Sequence, residues 1–197
     1  MNVEIVNSHN IKNRLEQIAK IHFSAYSSDH FTSGFGFDKL IEYNFRLIEA
    51  SDLSVVAVDN NVVLGFIIAG EKVSAGVSKF TQENRGWLML QLIRRPSILL
   101  TKIMGIIKTK IYTSQPSKAK FRLLSIATKP GSQSKGVGKE MLHFLEQELL
   151  RRGIGCYGLS VKNKNQGAIQ FYERHGFVKE KEYLGSLYYF KQLSNKS

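Results

Sequence analysis

A glycine-rich loop between a strand and a helix is the feature of this sequence most suited to chemistry. The apolar run Phe121 to Thr128 ends at Lys129-Pro130 and is typical of a buried strand. Glycines stand at 131, 136 and 138 of the loop that follows, and apolar residues then recur at helical spacing from Lys139 to Leu150. The first turn of a helix has unpaired amides and the positive end of the dipole, so the pattern predicts an anion site that suits a diphosphate.

A glycine pair after a strand can also be a simple tight turn, so the downstream sequence matters. A second apolar run, Cys156 to Val161, predicts another strand. It leads into a short helical segment that ends at Gly176, and a further strand begins at Phe177.

The two segments together resemble the GNAT acyltransferase superfamily. The loop matches the pattern Gln/Arg-x-x-Gly-x-Gly/Ala as Gln133-Ser134-Lys135-Gly136-Val137-Gly138. The downstream segment matches the pattern Asn-x-x-Ala-x-x-Phe-Tyr-x-x-x-Gly-Phe as Asn165, Ala168, Phe171, Tyr172, Gly176 and Phe177. Both motifs occur in the family's order and at a usual separation.

The resemblance implies an α/β fold of GNAT type, with a mixed, mostly antiparallel central sheet, a splayed parallel strand pair and flanking helices. The pair would be Leu123 to Thr128 and Cys156 to Val161, with the pantetheine arm of acetyl-CoA between them and the pyrophosphate on the loop amides. Acetyl-CoA would be the acyl donor, and no metal is expected. The expected cofactor-binding residues are Ile126, Ala127, Thr128, Gln133, Ser134, Lys135, Gly136, Val137, Gly138, Lys139, Asn165 and Phe171.

The resemblance also assigns one catalytic residue. Tyr172 occupies the family's general-acid position and would protonate the departing thiolate, which requires no covalent enzyme intermediate. The general base is not assigned. Many relatives have a glutamate on the strand before the loop, but Phe121 to Ile126 contains no carboxylate. Glu71, His30 or a water held by Ser125 are the alternatives, and an amine of lowered pKa would need only solvent.

The N-terminal part supplies the elements around this site. We expect a strand at the start, helices from about Ile11 to Tyr26 and from Phe37 to Glu49, and a β-hairpin at Asp59-Asn60-Asn61. The loop between the helices borders the acceptor pocket in the resembling family, which makes His30 and Asp29 candidates for substrate contact, although capping and packing are the simpler interpretation. The hairpin strands are predicted at Leu53 to Val58 and Val62 to Ala69.

The only cysteine, Cys156, lies within a predicted strand and is interpreted as a packed thiol, not a nucleophile. One cysteine forms no internal disulfide, and the start of the chain lacks the pattern of a signal peptide. We therefore expect a cytoplasmic protein. The histidines and the cysteine show no metal-ligand spacing.

A basic segment at about 72–119 extends beyond a minimal domain of this family. Helices are predicted at Trp87 to Arg95 and at Ser97 to Ile111, the second amphipathic, with a break at Pro96. Residues 85–120 contain eight of the 28 basic residues and none of the 16 acidic ones, so a contact with an anion is expected. A phosphorylated or nucleotide-linked substrate, an anionic membrane surface and nucleic acid are the alternatives, with nucleic acid least favoured. A lid or a homodimer helix with a solvated face is the simpler interpretation.

The chain of 197 residues fits one domain, 1–197, which carries this insertion and ends in two strands around Gly185. We expect an N-acetyltransferase that moves an acetyl group from acetyl-CoA to a primary amine of a small-molecule acceptor. The basic segment favours an anionic acceptor such as an amino sugar nucleotide. A protein or peptide amine is an alternative acceptor, and a non-catalytic acyl-CoA-binding or membrane-associated module is the alternative class.

Overall fold

A computed structural model describes residues 1–26, 31–94, 117–132 and 135–194. Its centre is a seven-stranded sheet with the strand order β1-β2-β3-β4-β5-β7-β6. The strands are β1 (Asn2–Val6), β2 (Leu53–Asp59), β3 (Val62–Gly70), β4 (Phe121–Thr128), β5 (Cys156–Lys162), β6 (Val178–Tyr183) and β7 (Ser186–Gln192). The helices are α1 (Leu15–Ala25), α2 (Phe37–Ala50), α3 (Ser74–Glu83), α4 (Arg85–Arg94), α5 (Val137–Arg151) and α6 (Gln166–Arg174).

Every neighbouring pair of strands is antiparallel except β4 and β5, which are parallel. This confirms the predicted mixed, mostly antiparallel sheet with one parallel pair. Crossover connections are needed only for parallel neighbours, and the glycine loop with α5 supplies this one.

The two hairpins form where the turn residues predict them. Asn60 and Asn61 have φ values of 46° and 62°, the left-handed pair that a two-residue type I′ turn requires. Leu184 and Gly185 have φ values of 49° and 72° and turn β6 into β7 in the same way. Asparagine tolerates this conformation better than most residues, which explains why the first hairpin was visible in the sequence.

The first helix is shorter than the predicted Ile11 to Tyr26. A single 3-10 turn occupies Lys12–Arg14, and the α-helix begins at Leu15. Ile11 is fully buried and its carbonyl accepts the Arg14 N–H at 2.8 Å, so the chain enters the helix through a tight anchored turn. The second helix, at Phe37–Ala50, agrees with its prediction.

α3 was not predicted, and it begins the segment interpreted as an insertion. Its sequence is rich in small and polar residues, and only Gly76 and Phe80 are buried, so its helical periodicity is weak. Tertiary packing stabilises this helix, since the ring of Phe80 contacts those of Phe35 and Tyr43 at centroid distances of 5.3 and 5.2 Å. α4 covers most of the predicted helix at Trp87 to Arg95, while the predicted helix at Ser97 to Ile111 lies outside the described residues.

Two apolar layers bury the two faces of the sheet. α5 and α6 pack on one face through side chains such as Met141, Leu145 and Tyr172. α1, α2 and α3 pack on the other through side chains such as Ile18, Leu47 and Phe80. The sheet is therefore the middle layer of a three-layer α/β fold. No helix in the described part of the chain is long and apolar enough to cross a membrane.

Candidate active site

The parallel strands β4 and β5 separate soon after they begin. They pair only at Phe121 with Tyr157, Arg122 with Gly158 and Leu123 with Leu159. Beyond that point β4 continues to Thr128 and β5 to Lys162 without pairing to each other. The strands thus open into a gap between the two layers of helices, as the resemblance implied, and β4 there has no strand on its β5 side.

A bulge in β4 changes which way its side chains point at this gap. The register with β3 shifts between Ile68 and Ala69, so that Leu124 has no partner there and is 40% exposed. Strand residues alternate between faces, and an extra residue reverses the alternation. Leu123 accordingly packs with α5 and α6, whereas Ala127 packs with α1 and α2.

The glycine loop leads into the start of α5 at one end of the gap. Gly136 caps α5 with φ at 75°, in the left-handed region that favours glycine. The first helical hydrogen bond runs from the Glu140 N–H to the Gly136 carbonyl at 3.0 Å. Among the described residues, none accepts a hydrogen bond from the amides of Val137, Gly138 and Lys139. These amides and the helix dipole can bind a diphosphate.

The surroundings of this loop are positive on their exposed side. Lys129, Lys135 and Lys139 are all exposed, within or next to the loop. Gln133 and Ser134, two of the predicted contacts, lie outside the described residues. Gly138 is covered on its inner side, because a Cβ there would lie 3.4 Å from Phe171 Cζ and 3.9 Å from Thr128 Cγ2. The structure thereby brings three of the predicted cofactor-binding residues together.

α6 sets the other wall of the gap. Asn165 caps the helix, and its side-chain oxygen accepts the Ala168 N–H at 3.1 Å. That bond gives Asn165 a structural role, and its contact with the cofactor stays a prediction. Gly176, with φ at 81°, follows the end of the helix, and Phe177 is buried directly after it. The motif therefore defines both ends of α6.

Tyr172 is held rigidly at this wall. It is 7% exposed, and its ring meets those of Phe171 and Phe177 at centroid distances of 5.5 and 5.4 Å. Among the described residues its hydroxyl has no hydrogen-bond partner. Burial raises the pKa of Tyr172, and the nearby Tyr26 raises it further. The phenol therefore stays protonated at neutral pH, as a proton donor must be.

Sequence reasoning missed Tyr26, which reaches β4 from the opposite face. Its hydroxyl lies 2.5 Å from Ser125 Oγ, and it also hydrogen-bonds the backbone of Ile126. Burial raises the pKa of Tyr26, although these two hydrogen bonds lower it in part. Tyr26 lies just beyond the end of α1 and far from Ser125 in sequence, so only the periodicity of α1 hinted at an inward-facing ring.

A buried polar group supports the ring of Tyr26. The ring of His22 lies 4.4 Å from it, centroid to centroid. His22 is 2% exposed, with Nδ1 at 3.0 Å from Asn44 Oδ1 and Nε2 at 3.0 Å from Thr32 Oγ1. Both ring nitrogens are thus satisfied, which fixes the orientation of the imidazole and of the tyrosine packed on it.

The suggested proton acceptors occupy different places. Glu71 is exposed and follows Gly70, which pairs with Arg122, so it lies at least three residues, roughly 10 Å, along the sheet from Ser125. The Glu71 N–H donates to Asp52 Oδ2 at 2.7 Å. His30 and Asp29 lie outside the described residues. Among the suggested proton acceptors in the described part of the chain, Ser125 lies at the gap and Glu71 does not.

Neither thiol chemistry nor a metal site is indicated in the described ranges. Burial raises the pKa of Cys156, and Glu180 raises it further, which disfavours the thiolate that a nucleophile would need. No group of three His, Cys, Asp or Glu side chains in the described part of the chain could hold a metal ion.

Comparison with known proteins agrees with this geometry. Residues 15–177 match the sequence profile described as "Acetyltransferase (GNAT) family". A ribosomal protein bS18-alanine N-acetyltransferase of Escherichia coli K12 is 40% identical over 55 residues, which are 28% of this chain. The chain covers only 37% of the length of that relative.

Two solved structures have the same fold at low identity. One is the crystal structure of PH1933 from Pyrococcus horikoshii OT3, at 18% identity and a TM-score of 0.64, covering 98% of this chain and 99% of that one. The other is the PaiA N-acetyltransferase from Thermoplasma acidophilum in complex with coenzyme A, at 16% identity and a TM-score of 0.57, with the same coverage.

Proposed function

The chain belongs to the acetyltransferase (GNAT) family, and we propose that it moves an acetyl group directly from acetyl-CoA to a primary amine. The observation that carries this proposal is the parting of β4 from β5 after Leu123, next to the open amides at the start of α5. In this proposal the thioester arm extends along the gap, and the pyrophosphate binds to the amides at its other end. PaiA N-acetyltransferase, which shares the fold, has been crystallised with coenzyme A.

The reaction requires one bond to form and one to break at the thioester carbonyl. The neutral amine attacks the carbonyl carbon, and the C–S bond of the tetrahedral intermediate then breaks. The released thiolate takes the phenolic proton of Tyr172, which solvent later replaces. The excess proton on the new amide nitrogen leaves to water. Tyr172 suits this role because its hydroxyl is protonated, fixed by two rings and unpaired among the described residues.

Binding of the acyl donor tests the first half of the proposal. A ligand that binds only the native state stabilises it by about 2.7 kcal/mol at one hundred times Kd. For a chain of this size that corresponds to a rise in Tm of roughly 5–10 °C. Thermal unfolding with and without acetyl-CoA at millimolar concentration measures this, and an unchanged Tm would refute the proposed donor.

Release of free CoA thiol tests the second half and separates an enzyme from a non-catalytic binding module. The reaction contains acetyl-CoA and one amine from a panel, namely an alanine-initiated hexapeptide, spermidine or glucosamine. Thiol release that requires the amine, with acetylated amine identified by mass spectrometry, supports transfer. Binding of acetyl-CoA without any transfer to the panel supports the binding module.

Two acceptor classes have specific support. The alanine-initiated peptide is favoured by the 40% identity to an alanine N-acetyltransferase, although that match covers 55 residues. An amino sugar nucleotide is favoured by the eight basic residues within 85–120, four of which lie outside the described residues. Peripheral membrane contact and a homodimer through that segment stay predictions, as does the boundary of the insertion.

A further inference from the structure

The two faces of the sheet play different parts at the gap between β4 and β5. α5, with its open amides, and α6, with Tyr172, lie on one face. On the proposed function, the donor's pyrophosphate and its departing sulfur bind on that face. An amine approaches a thioester carbonyl from above or below its plane, and the face left open by α5 and α6 is the one that α1 and α2 cover.

Ser125 and Tyr26 meet on the amine's side. The bulge at Leu124 turns the buried Ser125 away from α5, and α1 brings the Tyr26 hydroxyl to within 2.5 Å of its Oγ. The contact lies two residues beyond Leu123, the last β4 residue paired with β5. The hydroxyls of Tyr26 and Tyr172 are close enough for ionisation of Tyr26 to raise the pKa of Tyr172. The gap therefore has one phenol on each side, Tyr26 from the α1 side and Tyr172 from the α6 side.

Resting on the proposed function, we propose that the Tyr26 and Ser125 hydroxyls act as a pair that positions the attacking amine. In this pair the Tyr26 hydroxyl, which also bonds the Ile126 backbone, donates to Ser125 Oγ. A second lone pair of Ser125 Oγ accepts one N–H of the neutral amine. That bond directs the nitrogen lone pair at the thioester carbon. The pair holds the amine and removes no proton, and the excess proton leaves to water after attack.

The anchoring of Tyr26 favours positioning over incidental contact. The ring of His22 lies against the tyrosine, and Asn44 and Thr32 fix the imidazole. Tyr26 is therefore oriented by a buried network before any ligand binds, which lowers the entropy lost when the amine is oriented. Side-chain hydroxyls of neutral groups accept N–H bonds without requiring ionisation, so the pair can function throughout the neutral range.

Steady-state kinetics of Tyr26→Phe and Ser125→Ala tests the proposal. The probe is the best acceptor among the alanine-initiated hexapeptide, spermidine and glucosamine, at saturating acetyl-CoA. Each variant should lower kcat/KM for the amine by roughly 3- to 10-fold, the equivalent of one neutral hydrogen bond. Much of the loss should be a raised KM for the amine. The double variant should lose about as much as either single variant, since the hydroxyls act as one unit.

Tyr157→Phe is the matched control. Tyr157 is also a buried tyrosine, but its hydroxyl donates to Glu146 on the far side of the sheet, so its loss should leave the amine KM unchanged. The Tm shift with acetyl-CoA should be the same in all variants. Wild-type kinetics in Tyr26→Phe and Ser125→Ala, or losses that multiply in the double variant, would overturn the pair while leaving the proposed function intact. A wild type that is not stabilised by acetyl-CoA would overturn both.

Discussion

Tyr172 combines a fixed ring with a hydroxyl that makes no hydrogen bond to the described residues. A structural tyrosine in a core commonly has a hydroxyl partner, as Tyr157 and Tyr189 do here with Glu146 and Glu173. The packing of Tyr172 thus comes from its ring alone, and the hydroxyl can be removed with little effect on the fold.

Replacement of Tyr172 by Phe should therefore separate chemistry from binding. We expect kcat to fall by about 10²–10⁴-fold, the usual contribution of a general acid. The Kd for acetyl-CoA, measured by calorimetry, should change little because both flanking rings keep their contacts. Tyr189→Phe is the control, since it removes a hydroxyl that bonds Glu173 at 2.8 Å outside the gap. A Tyr172→Phe enzyme with normal kcat, where chemistry limits the rate, would exclude the acid role.

At the scale of elements, the glycine loop, α5 and the neighbouring part of β4 act together. Because of the bulge in β4, Leu123 packs on the α5 side of the sheet and Ala127 on the α1 side. One strand therefore contributes side chains to both apolar layers. The left-handed Gly136 starts α5 so that its open amides lie next to the parting strands. The proposed donor site therefore depends on three connected elements.

Both ends of α5 carry a glycine with positive φ, which provides a matched pair of variants. Gly136 and Gly153 have φ values of 75° and 71°, and a Cβ added to either would meet no atom of a described residue within 4 Å apart from its chain neighbours. A leucine at either site should cost a similar amount of folding free energy, roughly 1–2 kcal/mol. Only Gly136→Leu should also abolish the rise in Tm with acetyl-CoA, because its side chain lies where the pyrophosphate approaches the amides. An equal rise in both variants would contradict this anion site.

At the scale of the whole molecule, both layers bury tyrosines whose pKa values are raised above the ordinary 10.0. Burial is the main cause for Tyr43, Tyr157 and Tyr172 alike. An unfolded chain would release these protons near pH 10, while the native state retains them. Because the native state then binds more protons, stability must fall as the pH rises above that value.

Urea unfolding between pH 8 and pH 11 should show this loss. Below about pH 10 the tyrosines are protonated in both the native and the unfolded state, so they do not make the free energy of unfolding depend on pH. Above it, each buried tyrosine lowers the free energy of unfolding by up to about 1.4 kcal/mol per pH unit. Tyr157→Phe should make the plot of unfolding free energy against pH less steep by one such contribution. Because the lysines are unchanged in this variant, the difference reports the titration of Tyr157 alone. A slope identical in the wild type and the variant would show that Tyr157 titrates normally.

The sequence by itself determined the features that depend on neighbouring residues. The Asn60-Asn61 turn, the capped and glycine-ended α6, and the helix after the glycine loop follow from local conformational preference and periodicity. The family resemblance lay in those same local motifs, and the profile match over 15–177 confirms it. The motif also predicts the catalytic role of Tyr172, which stays a prediction; the structure packs its ring between Phe171 and Phe177.

Only the tertiary structure decided the features that depend on distant contacts. Tyr26 and Ser125 are 99 residues apart, and no local pattern shows that a helix end will meet a strand bulge. The extra residue at Leu124 becomes visible only once β3 fixes the register of β4. α3 likewise forms because Phe80 and Gly76 pack against α2, not because its sequence repeats every turn. Burial against remote partners, which no short stretch of sequence encodes, selects these arrangements.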